Sequence, residues 1–246
     1  MHDLAMIAGG MPQLSRPQIE IAVIITLLFA GFGRLVKGVS WSGAAAGAVV
    51  CFLLCVSAGG GAVAALVSVF VLTWMATGFG RSHKQKLGTA EKSGGRRASQ
   101  VLANLGVATG AAVLFTIYGK AGFLLATAAA LSEAAADTVS SEIGQAVGAN
   151  PRLITTWKIV PAGTDGGVTV AGTLAGVMAA AVVGVVCVVT ELMPWKWFGI
   201  AVGAATVGMV ADSFLGAWLE RRGLLNNDLV NFLGTMIAAG IAFLVV

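Results

Sequence analysis

The chain has 246 residues, of which 57% are hydrophobic and only 11% are charged. Ordinary soluble domains carry roughly 25% charged residues, so this composition excludes a soluble globular protein and indicates a polytopic membrane protein. The net charge of +4 comes from basic residues divided among loops on one predicted side of a membrane. We therefore expect the membrane as a partner and no nucleic acid.

Apolar segments long enough to cross a bilayer, about 17 to 25 residues each, follow one another along the chain. They predict an all-α, polytopic membrane helical bundle of about eight transmembrane helices, in a single integral-membrane domain over residues 1-246. Gly9, Gly10 and Pro12 interrupt the apolar residues of segment 1-15, and no basic region precedes them, so no cleavable signal peptide is predicted there. The predicted spans are 18-36, 40-57, 61-79, 98-119, 121-144, 168-190, 195-219 and 229-246.

Most Lys and Arg residues fall on one side of this arrangement. Only Arg16, Lys120 and Lys196 lie on the other side. The positive-inside rule then predicts that both termini are non-cytoplasmic and that the polar loops 80-100 and 145-167 are cytoplasmic. We expect these two loops to carry part of a functional site. The basic residues of the predicted inner side are Arg34, Lys37, Arg81, Lys84, Lys86, Lys92, Arg96, Arg97, Arg152, Lys158, Arg221 and Arg222.

Asp137, Glu142 and Asp212 lie within predicted membrane helices, where a charge is costly and marks a pathway, a bound ion or a polar ligand. Asp137 and Asp212 each precede the inner end of their span by seven residues, so both lie roughly 10 Å below the inner surface. Glu142 follows Asp137 by five positions, about 140° around a regular helix, so joint ligation requires a bend. Oxygen ligands suit Mg²⁺, and we predict that these three residues bind it. The alternative is that Asp137 and Asp212 only join neighbouring helices.

Two predicted inner loops place glycines beside charged or hydroxyl groups just before a helix. These are Gly94-Gly95-Arg96-Arg97 and Gly163-Thr164-Asp165-Gly166-Gly167. Flexible backbone followed by helix N-terminal amides favours a phosphate group. Neither loop matches the GxxxxGK[ST] pattern of P-loops, and solvated cytoplasmic loops are the plainer interpretation.

The two aspartates also begin a weak internal repeat. Ala136-Asp137-Thr138 is followed one span later by Gly172-Thr173-Leu174, and Ala211-Asp212-Ser213 by Gly234-Thr235-Met236. Both units run in the same direction across the membrane, so the repeat would be parallel and would bring two Asp-bearing helices to one site. Chance similarity among Ala, Gly and Thr is the competing explanation.

Four ordered motifs resemble those of a known family over roughly residues 30-246. They are GGRRASQVLAN at 94-104, ADTVSSEIG at 136-144, PRLITTWKIVPAGTDGGVTVAGTLAG at 151-176 and DSFLGAWLE at 212-220. The chain resembles the integral-membrane family that contains transmembrane protein nineteen and the plant phytyl-phosphate kinase of vitamin E synthesis. Thr169 stands where that family tends to have serine, and Ser140-Ser141 where bulkier residues are common.

The resemblance implies an Mg²⁺-dependent membrane kinase. It would transfer a phosphoryl group from a nucleoside triphosphate, CTP or ATP, to a prenyl (phytyl-like) monophosphate lipid, giving the diphosphate. The expected catalytic residues are Asp137, Glu142, Asp212, Arg96 and Arg97. The expected substrate- and nucleotide-binding residues are Arg81, Lys84, Gln100, Asn104, Thr155, Thr156, Lys158, Gly163, Thr164, Gly166, Gly167, Asn227 and Asn231.

Two other functions share the same acids and basic loops. One is a secondary transporter of a cation or an anionic metabolite, for which intramembrane acids and small-residue helices are equally expected. The other is a cytidylyltransferase acting on a lipid phosphate, which would release pyrophosphate.

Overall fold

The computed structural model describes residues 15–90, 94–147 and 150–246. The predictions for the N-terminal segment and for Lys92, and parts of the loops 80-100 and 145-167, lie outside these residues. The helices are α1 (Arg16–Leu35), α2 (Trp41–Gly78), α3 (Arg81–Leu87), α4 (Ala98–Tyr118), α5 (Gly122–Ala146), α6 (Val170–Val189), α7 (Phe198–Leu215) and α8 (Asn227–Val245). A 3₁₀ turn at Trp195–Trp197 precedes α7, and a π-helical turn at Gly216–Glu220 extends it.

Six helices of the described chain are long and apolar enough to cross a membrane. They are α1, α2, α4, α6, α8 and α7 with its flanking turns. The predicted all-α polytopic membrane bundle is thereby confirmed. The remaining long helix, α5, is less hydropathic because it carries Glu133, Asp137 and Glu142.

α2 is a hairpin of two helical arms. Gly59 interrupts it with φ 77° and ψ −169°, a conformation that glycine adopts easily. A straight helix of 38 residues would extend about 57 Å, yet the Trp74 indole of the second arm donates to the Val36 carbonyl 3.4 Å away, just before the first arm. The two arms therefore correspond to the separate predicted spans 40-57 and 61-79. The long helices of the described residues thus supply eight segments of membrane length.

α5 lies at the centre of the bundle and packs against α2, α4, α6, α7 and α8. Its alanines 128–130 and 134–136 are almost completely buried. Small residues allow such close helix contacts in a membrane, where apolar burial alone does not drive association. Gly176 of α6 shows how close the contact is, since a Cβ there would lie 2.7 Å from the Ala136 carbonyl oxygen.

The polar connections gather at one end of the bundle, which we call the loop face. It comprises the described residues of segments 36–40, 79–97, 147–169 and 216–226. Within it, β1 (Arg152–Leu153) pairs antiparallel with β2 (Gly167–Val168), a short element that the all-α prediction does not include. Every described basic residue of the predicted inner side lies at this face or in an adjoining helix end.

Candidate active site

A polar chamber of about 320 Å³ opens at the loop face. The final turns of α5 and α7, the first turns of α4 and α8, and the 150–169 loop form its walls. Twelve residues that the sequence predicts for the site line it. They are Arg96, Gln100, Asn104, Asp137, Glu142, Gly163, Thr164, Gly166, Gly167, Asp212, Asn227 and Asn231.

Three carboxylates from two helices cluster at the deep end of this chamber, where Asp137 and Asp212 line it and Glu133 lies behind them. Asp137 of α5 and Asp212 of α7 interact directly, and Glu133 lies one turn deeper on α5 with 1% of its surface exposed. Asp212 Oδ2 and Glu133 Oε1 are buried and have no hydrogen-bond partner among the described residues. Buried carboxylate oxygens normally have partners, because leaving them bare is costly. The cluster is therefore suited to a cation.

Glycines on the neighbouring helices make room for these carboxylates. A Cβ at Gly234 of α8 would lie 2.7 Å from Glu133 Oε1 and 3.4 Å from Asp212 Oδ2. A Cβ at Gly208 of α7 would lie 2.7 Å from Glu133 Cγ. Sequence reasoning missed Glu133, although its spacing of four residues from Asp137 places both on one helix face.

Arg96 reaches this carboxylate cluster from the start of α4. Its guanidinium donates to Thr138 Oγ1 at 3.4 Å and lies close enough to Asp137 for a charge interaction. Its backbone is held by bonds to Gly38 and Ser40. Gly95 permits this contact, since its φ is +73° and a Cβ there would lie 2.8 Å from the Val39 nitrogen. Gly95 thus positions Arg96 against the connection between α1 and α2.

Glu142 and Lys84 form a buried ion pair. Lys84 is 0% exposed and also donates to the carbonyls of Ala76 and Thr77 at 3.1 and 3.0 Å. Thr77 Oγ1 donates to the other Glu142 oxygen at 3.2 Å. An ammonium group has three protons, so Lys84 has none left for a phosphate. This geometry differs from the predicted phosphate contact of Lys84 and the predicted metal ligation of Glu142.

The 150–169 loop forms part of the chamber wall at the loop face. Gly166 has φ +74°, and a Cβ there would lie 2.7 Å from the Ser213 carbonyl oxygen, so the loop packs directly on the end of α7. Asp165, which sequence reasoning did not select, also lines the chamber. Burial raises the pKa of Asp165, and the nearby Arg221 guanidinium opposes that shift.

Six predicted site residues do not line the chamber: Arg81, Lys84, Arg97, Thr155, Thr156 and Lys158. Arg97 and Lys158 are exposed. Thr155 and Thr156 lie at the tip of the 150–169 loop, beyond β1. Arg81 instead lines a neighbouring apolar cavity.

The carboxylates fit one mode of magnesium binding. No group of three His, Cys, Asp or Glu side chains in the described part of the chain has the arrangement of a metal site. Mg²⁺, however, is commonly held by one or two carboxylates together with substrate phosphates. Asp137 and Asp212 come from two helices, and Asp212 keeps an oxygen without a partner among the described residues. The donor set therefore suits a substrate-bridged ion better than an all-protein cage.

An apolar cavity of about 690 Å³ adjoins the polar chamber. It lies between α1, the two arms of α2, and α4. Arg96, Gln100 and Asn104 line both spaces. The site thus joins a charged compartment to an apolar one through three polar side chains.

The integral membrane protein DUF92 family matches residues 24–239. An uncharacterized membrane protein of Methanocaldococcus jannaschii is 35% identical over 186 residues, which cover 73% of this chain and 74% of that protein. Protein VTE6, chloroplastic, of Arabidopsis thaliana is 32% identical over 244 residues, covering 94% of this chain and 73% of that protein. Protein PGR of the same plant is 32% identical over 235 residues, covering 84% and 81%. No solved structure matches the chain.

Proposed function

The chain belongs to the integral membrane protein DUF92 family, and on this premise we propose that it is a membrane enzyme acting on a prenyl phosphate. The specific reaction is phosphoryl transfer from CTP or ATP to a phytyl-like prenyl monophosphate, giving the diphosphate. The motifs that resemble the family of the plant phytyl-phosphate kinase support this reaction, and protein VTE6 is among the relatives.

The observation that carries the proposal is the position of Arg96. It lies between the carboxylates of the polar chamber and the large apolar cavity, and it lines both. An amphiphilic lipid phosphate needs such a junction, because its headgroup requires cations and its tail requires an apolar environment. A small soluble substrate has no hydrocarbon tail that would occupy the apolar cavity.

The reaction requires that the two substrates are positioned and that the negative charge of their phosphate groups is neutralised. An anionic oxygen of the prenyl monophosphate forms a bond to the terminal phosphorus of the nucleotide, and the bond from that phosphorus to the nucleoside diphosphate oxygen breaks. The acceptor oxygen carries no proton, so no general base is needed. Mg²⁺, when bound, would supply positive charge that offsets the negative charge of the phosphate groups.

The residues in and next to the chamber would have different roles in this reaction. Asp137 and Asp212 would hold Mg²⁺, with Glu133 adding negative charge one turn below. Arg96 would neutralise the acceptor phosphate, and the backbone amides of Gly163, Asp165 and Gly166 would contact the donor phosphates, since those of Thr164 and Gly167 donate within the turn. Asn227 and Asn231 of α8 line the same wall and offer neutral polar contacts.

The orientation of the site is part of the proposal. The loop face carries nearly all the basic residues, and by the positive-inside rule it would be cytoplasmic. Nucleotides would then reach the chamber directly from the cytoplasm. Both termini would lie on the opposite side.

The test is a reconstituted assay of the purified protein with Mg²⁺, CTP or ATP, and phytyl, geranylgeranyl or farnesyl monophosphate. We expect a prenyl diphosphate from at least one pair. Asp137→Asn and Asp212→Asn should each abolish turnover while the protein stays folded. Asp228→Asn is the matched control, because Asp228 lies in the first turn of α8 and does not line the chamber. Absence of diphosphate from every pair overturns the kinase proposal.

The same preparation separates the two alternatives. A cytidylyltransferase would release pyrophosphate and leave a cytidylylated lipid, which product analysis distinguishes from a prenyl diphosphate. A transporter would move its substrate across proteoliposomes without nucleotide. Asp137 and Asp212 lie toward the loop-face half of their helices and Glu133 lies near the middle of α5, so this flux assay, and not the depth of the acids, distinguishes a transporter with a midplane site.

A further inference from the structure

The geometry points to the apolar cavity between α1, α2 and α4 as the binding site for the isoprenoid tail of the lipid phosphate. This inference rests on the proposed function. It adds the location of the tail and the residue position that limits its length.

The cavity is deep enough to take a chain lengthwise. Its deepest lining residues include Leu66 of the second α2 arm and Ala134 of α5. Each lies twelve residues from the loop-face end of its helix, so the cavity reaches about 18 Å into the bundle. Its volume of about 690 Å³ lies within the usual range for small-molecule sites, about 300–1,000 Å³.

The polarity of the walls changes along this depth. Phe29, Val69, Phe70 and Leu105 line the interior. The charged lining residues, Lys37, Arg81 and Arg96, all lie at the loop face. An anionic headgroup bound at that end leaves its hydrocarbon tail among apolar side chains, where burial is favourable.

The second arm of α2 offers an entrance from the bilayer. Trp74, Met75 and Phe79 line the cavity and are 47%, 59% and 56% exposed. Trp74 and Met75 lie in the last turn of that arm, and Phe79 caps it. A lipid substrate can therefore enter sideways, with its headgroup at the loop face.

Gly47 of the first α2 arm provides the position for a test. It lines the cavity and is buried, and a Cβ there would contact only Phe29, at an ordinary 3.9 Å. It lies six residues into its arm, about 9 Å from the loop face. Gly47→Leu should thus fit the helix and close the cavity at half its depth.

The first readout is chain-length preference in the kinase assay. With geranyl, farnesyl and geranylgeranyl monophosphates, Gly47→Leu should lower kcat/KM for the longest substrate by about tenfold or more relative to the shortest, since misfit in an apolar pocket has effects of this size. Gly110→Leu is the control, because Gly110 is an exposed glycine of α4 with nothing within 4 Å of a Cβ. An unchanged preference in folded Gly47→Leu overturns the tail site.

The second readout does not require turnover. Geranylgeranyl monophosphate with a diazirine at the tail end, added without nucleotide, should label residues 66–70 in the wild type and in Gly110→Leu, and lose that labelling in Gly47→Leu. Labelling without any phosphoryl transfer supports the tail site and overturns the kinase proposal. If phosphoryl transfer occurs but the label attaches outside residues 66–70, the tail site is overturned and the kinase proposal is not. If a phosphatidylcholine with a diazirine in its tail labels residues 66–70 equally well, the cavity binds bulk lipid. That result also overturns the tail site.

Discussion

Lys84→Met should strongly destabilise the protein. The substitution removes an ammonium group that is fully buried and donates to Glu142 and to the carbonyls of Ala76 and Thr77. Glu142 then keeps one hydrogen bond, from Thr77, and loses its counter-ion. Removing one partner of a buried ion pair costs about 3–5 kcal/mol. In a chain of this size that loss corresponds to a melting temperature lower by on the order of 10 °C.

Thermal unfolding of the purified protein in detergent measures this effect. The matched control is Lys86→Met on the same short helix, where the lysine is exposed and little change is expected. The double variant Lys84→Met/Glu142→Leu should lose less stability than the sum of its two single variants, because no unpaired charge remains buried.

Two results would refute this reasoning. A wild-type melting temperature for Lys84→Met, together with a raised KM for the nucleotide, would restore the predicted phosphate contact of Lys84. Strict additivity of the two single variants would mean that Lys84 and Glu142 do not stabilise one another.

Two further predictions concern the carboxylate cluster and the turn before α4. Glu133→Gln should raise the Mg²⁺ concentration for half-maximal activity by about 10- to 100-fold, because losing a group that supports metal ligands weakens metal binding by this factor. A magnesium titration that gives the wild-type concentration would exclude Glu133 from the site. Gly95→Ala should cost about 1–3 kcal/mol, because its φ is +73° and its Cβ would approach the Val39 backbone. Gly94→Ala, with open space around it, should melt close to wild type, and equal melting of both variants would contradict this explanation.

The broad architecture was predictable from local properties of the sequence. Hydropathy marks the long helices other than α5, and even the reversal at Gly59 agrees with the gap between the predicted spans 40-57 and 61-79. The match to the DUF92 family confirms the family resemblance that the motifs indicated. The meeting of Asp137 and Asp212 was also foreseeable, since both precede the same end of their helices by similar distances.

The partners of individual side chains were less predictable. Lys84 lies 58 residues from Glu142 in the chain, and the hydrogen bonds that use all its protons depend on where α2 ends. Thr155, Thr156 and Lys158 share a polar loop with Gly163 and Gly166, yet only the two glycines reach the chamber. Glu133 shares a helix face with Asp137, but the sequence alone does not reveal that glycines of α7 and α8 leave room for its carboxylate there.

By itself, the sequence determined an all-α membrane bundle of about eight helical segments, and the end of the bundle where polar groups collect. These follow from the cost of placing polar groups in lipid, which acts on each segment separately. Only the tertiary structure decided that Glu133 joins Asp137 and Asp212, that Glu142 pairs with Lys84, and that an apolar cavity opens beside Arg96. The physical reason is that Gly- and Ala-rich helices can pack closely on several faces. Which of those faces are in contact depends on segments that are distant in the chain. Neither hydropathy nor motif spacing predicts these contacts.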